Sequence, residues 1–271
     1  MGLCSLTPPK AQPLETLHAG IWRFSEFDSL PSTSDFCIAR AESGEPEGLA
    51  VLARSQSAPR GSRGRGWSES KGTLAFSVLL RPENAQPDAR GDFAAGASVT
   101  IWPFLAALAF HDALCLEASY GGRIRLKWPN DIMLDGRKLG GVLVERGMQA
   151  GHEWLVIGFG ANLASRPELA DRNVACLAEL GAVPEAATIA KRLLDAISFW
   201  RAQAAGGGFA CIRTEWLRRA HPSGTLLAVE TPHGPVTGSF SSIAEDGTLL
   251  LTVAGSIQRI STGRVLLLQE A

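Results

Sequence analysis

Four strand-like segments follow one another in the middle of the chain, and they constrain its fold more than any other feature. They cover residues 123–128, 131–134, 139–145 and 154–160, and only short turns separate them. The Asp135-Gly136 pair between the second and third segments is typical of a tight hairpin, whose turn positions need a left-handed backbone. The sequence therefore predicts a β-sheet at the centre of the chain.

Apolar patterning predicts helices and further strands on either side of this sheet. The predicted helices are residues 35–42, 94–118, 185–204 and 209–220, and the predicted strands that precede the central four are residues 49–53 and 73–80. We expect Thr33 or Ser34 to cap the first helix, which Gly44 ends. Pro103 is expected in the first turn of the second helix or at a kink in it. This mixture indicates the α+β class.

The pattern changes after Pro222, where short strands recur at close intervals. They are predicted at residues 226–230, 236–240, 248–253, 256–260 and 265–268, with glycines between them. Five short strands in so small a segment favour a β-barrel. We therefore expect a mobile N-terminal tail over residues 1–20, a large domain over 21–222 and a small barrel domain over 223–271.

A loop over residues 56–67, with sequence QSAPRGSRGRGW, alternates arginines with glycines. It contains no acidic residue, and none lies between Glu47 and Glu69. Glycines let backbone N–H groups approach an anion, and arginine pairs with carboxylate or phosphate in a fixed fork. The loop fits a clamp over an anionic ligand. A solvated basic loop or an RNA contact are the alternatives, and composition alone favours the solvated loop.

Two further segments follow, KWPNDI over residues 127–132 and KLGGVLVE over residues 138–145. A pair of glycines inside a strand usually means that a ligand or another backbone comes close, so Gly140 and Gly141 point to an opening beside Lys138. Taken singly, Lys138 is better explained as an exposed charge on a hairpin, and Asp131 can be explained as the cap of a turn. Trp128 alone is more typical of a core residue than of a ligand platform.

Charge and cysteine content limit the class of protein. The formal net charge is −1, which argues against a general binder of nucleic acid. The five cysteines are scattered and include no C-x-x-C pair, so we expect reduced thiols and no zinc site. The N-terminus lacks the pattern of a signal peptide, and no apolar run is long enough to span a membrane. These features predict a cytoplasmic protein without a membrane partner.

Taken together, the motifs resemble those of the biotin protein ligases. The glycine-arginine loop with its trailing Trp67 is similar to that family's biotin-binding loop, and KWPNDI and KLGGVLVE are similar to its central motifs. STS at residues 32–34 and GFGANL at residues 158–163 resemble two further family segments. Order and spacing also match over residues 24–164. The resemblance implies a mixed β-sheet with packed helices, followed by an SH3-like C-terminal domain.

The resemblance also implies roles for individual residues. Those expected to bind biotin are Ser32, Thr33, Gln56, Arg60, Gly140 and Gly141. Those expected near the nucleotide are Arg63, Arg65, Trp67, Lys127, Asn130, Asp131 and Asn162. Lys138, Asp131 and Arg63 are the expected catalytic residues, with Lys138 touching the biotin carboxylate and the α-phosphate. No metal ligand is assigned, although Asp131 is considered for a Mg²⁺ contact and for deprotonating the acceptor amine.

The implied activity is the ATP-dependent activation of biotin to biotinyl-5'-AMP. Biotin then passes to a lysine of a carboxylase's biotin carboxyl carrier domain, so biotin, ATP and Mg²⁺ are expected to be needed and no permanently bound cofactor is. Only about 20 residues precede Ile21, too few for a helix-turn-helix domain, so we expect no DNA partner. A monomer and a homodimer are both compatible with the sequence.

Other functions remain open at this point. A lipoate or octanoate ligase shares the fold, and a non-catalytic sensor of biotin or nucleotide would keep part of the site. The sequence also departs from the family pattern at Ser34, Pro59 and Ser62, where asparagine, glycine and arginine are frequent. Lys138 and the arginines of the loop favour a ligase over a sensor. KWPND together with that loop favours biotin over lipoate.

Overall fold

The computed structural model describes residues 13–61, 66–68, 70, 72–82, 101–115, 120, 122–169 and 173–268 of the 271-residue chain. Within these residues the chain forms an eight-stranded mixed sheet, a five-stranded antiparallel sheet and three α-helices. The expectation of an α+β fold built on a mixed sheet is confirmed. No helix of this described part is long and apolar enough to cross a membrane.

The large sheet has the strand order β1-β2-β3-β4-β8-β7-β6-β5. Its strands are β1 (Glu15–Ala19), β2 (Trp22–Leu30), β3 (Leu49–Gln56), β4 (Thr73–Leu80), β5 (Ile124–Lys127), β6 (Asp131–Leu134), β7 (Arg137–Gln149) and β8 (His152–Asn162). Only β2 and β3 pair in parallel, because helix α1 (Thr33–Glu42) connects them as a crossover. The other neighbours pair antiparallel through turns or longer loops.

Helices cover both faces of this sheet. Helix α2 (Ile101–Leu114) and helix α3 (Ala186–Arg219) pack on one face, and α1 packs on the other. Strand β3 shows the consequence, since Ala50 and Leu52 belong to the core under α2 and α3 while Val51 and Ala53 belong to the core under α1. Burial on both faces explains why β3 and β4 are apolar runs rather than alternating strands.

Several predicted elements are confirmed and others need correction. Strands β4 and β6 begin and end where the sequence predicted, and Pro103 lies in the first turn of α2. The predicted N-cap of α1, Thr33 or Ser34, is wrong, because Ser32 is the N-cap and accepts a hydrogen bond from the Asp35 backbone N–H. The two predicted helices before the C-terminal strands are confirmed, because the helical segment α3 consists of two helices that meet at a kink at Gly208, where φ is 59°.

The expected tail over residues 1–20 is also wrong at its C-terminal end. Strand β1 lies within it and pairs with β2, which was not predicted either. Residues 1–12 lie outside the described part. Apolar and polar residues alternate poorly over residues 15–19. Pairing with β2 is what holds β1 on the edge of the sheet.

The C-terminal sheet consists of β9 (Leu226–Thr231), β10 (Gly234–Ile243), β11 (Leu249–Val253), β12 (Ser256–Ile260) and β13 (Arg264–Leu267). All five predicted strands are present, in the order β12-β11-β10-β9-β13. The expected barrel is not closed, because β12 and β13 are the two edges and no ladder joins them among the described residues. Buried residues of this sheet, such as Val229 and Ile243, continue the core that contains Trp216 of α3.

Candidate functional site

A cavity of about 100 Å³, open to solvent, lies over strands β4, β7 and β8 on the side of the N-terminus of α1. Its wall contains the expected residues Ser32, Thr33, Gln56, Arg60, Trp67, Asn130, Asp131, Lys138, Gly141 and Asn162. The structure therefore brings together most of the residues that the sequence singled out, although they are spread over some 130 positions of the chain. Arg63, Arg65 and Ser62 lie outside the described residues.

One end of the cavity is lined by hydroxyl groups. The Ser77 hydroxyl lies 2.8 Å from Thr33 Oγ1 and 3.1 Å from Ser34 Oγ. The backbone N–H of Thr33 donates to Gln56 Oε1 over 2.8 Å. Ser34 and Ser77 line the cavity but were not among the expected site residues, and Ser77 is the more informative omission. Its signal in the sequence is a serine in the middle of the apolar strand TLAFSVLL at residues 73–80.

Local structure explains why these hydroxyls meet. Ser32 caps α1, which places Thr33 and Ser34 in the first turn of the helix above the sheet. Ser77 of β4 is the cross-strand neighbour of Gly158 of β8. A Cβ atom on Gly158 would lie 2.6 Å from Ser34 Oγ, so only glycine leaves room for the cluster. The first glycine of the GFGANL segment is therefore a packing requirement of the hydroxyl end.

The other end of the cavity is charged. The Lys138 ammonium lies 2.5 Å from Asp131 Oδ1, and the Lys127 ammonium lies 2.9 Å from Asp131 Oδ2. Burial disfavours the ionised carboxylate, but Lys138 and Lys127 more than offset it and lower the pKa of Asp131 to about 2. Asp131 is consequently ionised at neutral pH and a weak base. A carboxylate with so low a pKa is poorly suited to the expected deprotonation of an acceptor amine.

The β6–β7 hairpin creates this charged end. Asp135 and Gly136 form its turn with φ of 47° and 75°, the left-handed pair that the sequence predicted. Asp131 then faces Gly141 across the hairpin, with a register shift between Ile132 and Met133. That irregularity lets Lys138, which lies only three residues before Gly141, reach the same carboxylate.

The two adjacent glycines of β7 differ in what they face. A Cβ atom on Gly141 would lie 3.3 Å from both Asp131 Oδ1 and Lys138 Nζ, at the charged end. A Cβ atom on Gly140 would lie 2.7 Å from the Gly160 carbonyl oxygen and 3.3 Å from the Phe110 ring. The Cα–H of Gly140 that a side chain would replace thus faces the core rather than the cavity, and a contact of biotin with the Gly140 backbone stays a prediction.

Trp67 and Asn162 form the wall between the two ends. The Trp67 ring lies over Gly160, where a Cβ atom would approach it to 3.3 Å, and Lys138 Nζ is 5.8 Å from the ring centroid. Asn162 is buried, and its amide donates to the Ala175 carbonyl over 3.0 Å. Its Oδ1 atom has no hydrogen-bond partner among the described residues. Asn162 thus offers a free acceptor next to the cavity.

Arg60 and Lys127 differ from the expectation in their surroundings. Arg60 lies at the mouth of the cavity, with 2.5 Å contacts to Asp35 of α1 and to Glu145 of β7. Its guanidinium therefore fastens the loop to two elements. Lys127 does not line the cavity, because its ammonium lies behind Asp131 and donates to the Val265 carbonyl of the C-terminal sheet over 3.0 Å. Its expected nucleotide contact stays a prediction.

The charged end does not form a resident metal site. Both oxygens of Asp131 are held by lysine ammonium groups, so the Mg²⁺ contact considered for this residue does not fit its surroundings. In the described part of the chain, no cluster of three or more His, Cys, Asp or Glu residues is placed to hold a metal ion.

The fold and the cavity define the class of protein to which the chain belongs. Residues 26–162, which hold nearly all of the cavity wall, match the biotin/lipoate A/B protein ligase family. The chain is therefore a member of that family, as its motifs indicated.

Two relatives in sequence and one solved structure are similar to the chain over most of its length. The chain is 35% identical over 222 residues to a biotin–[acetyl-CoA-carboxylase] ligase of Paracoccus denitrificans, covering 79% of this chain and 88% of that protein. It is 32% identical over 244 residues to the ligase of the same name from Mycobacterium tuberculosis, covering 86% and 85%. The biotin protein ligase of Aquifex aeolicus in complex with biotin and ATP shares the fold, with a TM-score of 0.72 and 23% identity over 91% of this chain and 99% of that one.

Proposed function

We propose that the protein is an ATP-dependent biotin protein ligase. It activates biotin to biotinyl-5'-AMP with release of pyrophosphate, and then transfers biotin to a lysine of a carboxylase's carrier domain. The observation that carries this proposal is the polarity of the cavity, with neutral hydroxyls at one end and the Lys138–Asp131 pair at the other. Relatives that are themselves biotin–[acetyl-CoA-carboxylase] ligases supply the substrate class.

The hydroxyl end suits the ureido ring of biotin. A ureido group has two N–H donors and one carbonyl acceptor, and Ser34, Ser77 and Thr33 offer groups that donate and accept. The dithiolane ring of lipoate has neither, so it would leave these buried hydroxyls without ligand hydrogen bonds. A hydrogen bond contributes about 0.5–1.5 kcal/mol net, so two such bonds to the ureido group would favour biotin by roughly tenfold.

The charged end suits the first chemical step. A carboxylate oxygen of biotin forms a bond to the α-phosphorus of ATP, the bond from that phosphorus to the bridging oxygen breaks, and pyrophosphate leaves with the electron pair. Two anions must meet for this, so a fixed cation between them is needed. Lys138 supplies the cation, and Asp131 fixes its direction through the 2.5 Å contact. Trp67 covers this end and limits the access of water to the mixed anhydride.

The second step uses the same cavity from the solvent side. The acceptor amine forms a bond to the acyl carbon of biotinyl-AMP, AMP leaves with the electron pair, and the amine proton passes to solvent. A free lysine amine has a pKa of about 10.4, and Asp131, with a pKa of about 2, is too weak to take its proton. We therefore assign Asp131 to the orientation of Lys138 and to charge balance. Mg²⁺ enters as part of the MgATP substrate.

The decisive experiment compares two acids and two carriers. The protein is incubated with MgATP, either biotin or lipoate, and a carboxylase carrier domain, and intact-mass spectrometry follows the carrier. We expect a single biotinyl addition, none on a carrier whose acceptor lysine is replaced by arginine, and pyrophosphate release that depends on biotin. Modification by lipoate but not by biotin would assign the cavity to the other branch of the family. Biotin binding without pyrophosphate release would make the protein a sensor.

A further inference from the structure

Lys127 connects the candidate active site to the C-terminal sheet. Its side chain is only 13% exposed and has two contacts at its ammonium group, 2.9 Å to Asp131 Oδ2 and 3.0 Å to the carbonyl oxygen of Val265 in β13. Asp131 in turn holds Lys138 through its other oxygen. A continuous chain of charge-assisted contacts thus runs from the backbone of the second sheet to the cation that faces the cavity.

The neighbouring Trp128 strengthens this connection. Its side chain is buried, and its indole N–H donates to the Gly247 carbonyl, between β10 and β11, over 2.9 Å. The KWPND segment therefore has two halves with different directions. Lys127 and Trp128 bind backbone carbonyls of the C-terminal sheet, while Asn130 and Asp131 line the cavity.

We propose that Lys127 is a positioning residue, through which the docked C-terminal sheet fixes Asp131 and hence Lys138 for the adenylation step. This inference rests on the proposed function. One carboxylate oxygen of Asp131 contacts Lys138 on the cavity side, and the other contacts Lys127. The contact with Lys127 therefore keeps the carboxylate from rotating and carrying Lys138 with it. In this arrangement the second sheet is part of the machinery of the first step, although Lys127 never reaches the cavity wall.

The proposal differs measurably from a nucleotide contact and from a purely structural ion pair. If Lys127 contacted the nucleotide directly, its removal would raise the KM for ATP, because ground-state binding would weaken. If the ion pair were purely structural, its removal would lower the stability of the protein, and the remaining folded enzyme would turn over normally. A positioning residue changes kcat and leaves both KM values and biotin affinity nearly unchanged, since misplacement of a reacting group acts on the chemical step.

The test uses the full chain and three variants. Lys127→Met removes the charge and both contacts, Lys127→Arg keeps a cation with several donors, and Lys191→Met is the control, since Lys191 is an exposed lysine of α3 that contacts Phe24 instead of the cavity. Biotin-dependent pyrophosphate release gives kcat and KM, isothermal titration gives the Kd for biotin, and circular dichroism gives the melting temperature.

We expect Lys127→Met to lower kcat about 10- to 100-fold, with both KM values and the biotin Kd within about threefold of wild type. Lys127→Arg should recover most of the rate, and Lys191→Met should match wild type. An unchanged kcat in folded Lys127→Met, or a rise in the KM for ATP at constant kcat, would overturn the proposal. An inactive wild type would instead refute the proposed function, and this inference with it.

A second variant keeps the proposal testable if Lys127→Met does not fold. Trp128→Phe removes the hydrogen bond to Gly247 without altering any group that contacts Asp131. It should lower kcat in the same direction, at unchanged KM for ATP, because the sheet that presents the Val265 carbonyl is held less firmly. Full turnover in folded Trp128→Phe would show that docking of the C-terminal sheet does not act on the chemical step.

Discussion

Adjacent glycines of β7 provide the sharpest check of the site, because they are chemically identical and face opposite sides of one strand. Neither Gly140 nor Gly141 has a positive φ, so alanine is compatible with the backbone at both positions. What differs is the neighbour that the new methyl group meets. At Gly140 it meets the Gly160 carbonyl at 2.7 Å, and at Gly141 it meets Lys138 Nζ and Asp131 Oδ1 at 3.3 Å.

Gly140→Ala should therefore cost stability. Overpacking a well-packed site typically costs about 1–3 kcal/mol, and the lower entropy of the unfolded alanine chain returns about 0.4–1 kcal/mol. A net loss of roughly 1–2 kcal/mol corresponds to a melting temperature lower by about 2–8 °C for a domain of this size. The kcat of the folded fraction should stay near that of wild type, because the methyl group points away from the cavity.

Gly141→Ala should instead cost activity. Its methyl group must displace Lys138 or Asp131 by a few tenths of an ångström, and a displacement of about 1 Å can cost 100-fold, so we expect kcat to fall roughly three- to tenfold. The melting temperature should stay within about 2 °C of wild type. Thermal melting and biotin-dependent pyrophosphate release, measured on both variants, decide the matter. If Gly140→Ala were the inactive variant and Gly141→Ala the unstable one, the assigned faces of β7 would be reversed.

Three further predictions address the two ends of the cavity and its surroundings. Lys138→Ala should lower kcat about 10²- to 10³-fold while the protein stays folded, and unchanged turnover would remove Lys138 from the mechanism. Ser77→Ala should weaken biotin binding by about tenfold in calorimetry but leave the KM for ATP unchanged; equal loss of both would contradict a ureido contact. Burial, then Lys127 and Arg125, lower the pKa of His221 from its usual 6.5 to about 4. The unfolded chain therefore takes up the proton first as the pH falls, so this contribution to stability is complete above pH 6.5 and is lost by about pH 4. The contribution amounts to about 3 kcal/mol. In denaturant titrations at several pH values, the free energy of unfolding of His221→Phe should therefore fall less between pH 6.5 and 4 than that of wild type. Identical pH profiles would refute the assignment.

Local patterns in the sequence determined the elements that depend on neighbouring residues. The Asp135-Gly136 turn follows from its own backbone preferences, and strands β4 and β6 were predicted with their observed ends, since short apolar runs between turn residues need little outside information. The motifs also gave the family, which the comparison over residues 26–162 confirms. Strands β1 and β2 were missed because their pairing, rather than their composition, defines them.

Tertiary structure decided which of the residues singled out by sequence share a surface. Ser77 and Thr33 are 44 positions apart, and only the placement of α1 over β4 brings their hydroxyls to 2.8 Å. A strand's period of two puts Gly140 and Gly141 on opposite faces, but which face is core depends on Phe110, which packs from another element. Likewise Lys127 and Asp131 belong to one short motif, yet the motif cannot show that the C-terminal sheet presents a carbonyl to Lys127. Residue types limit what a site can do chemically, while the packing of distant elements determines which of them meet.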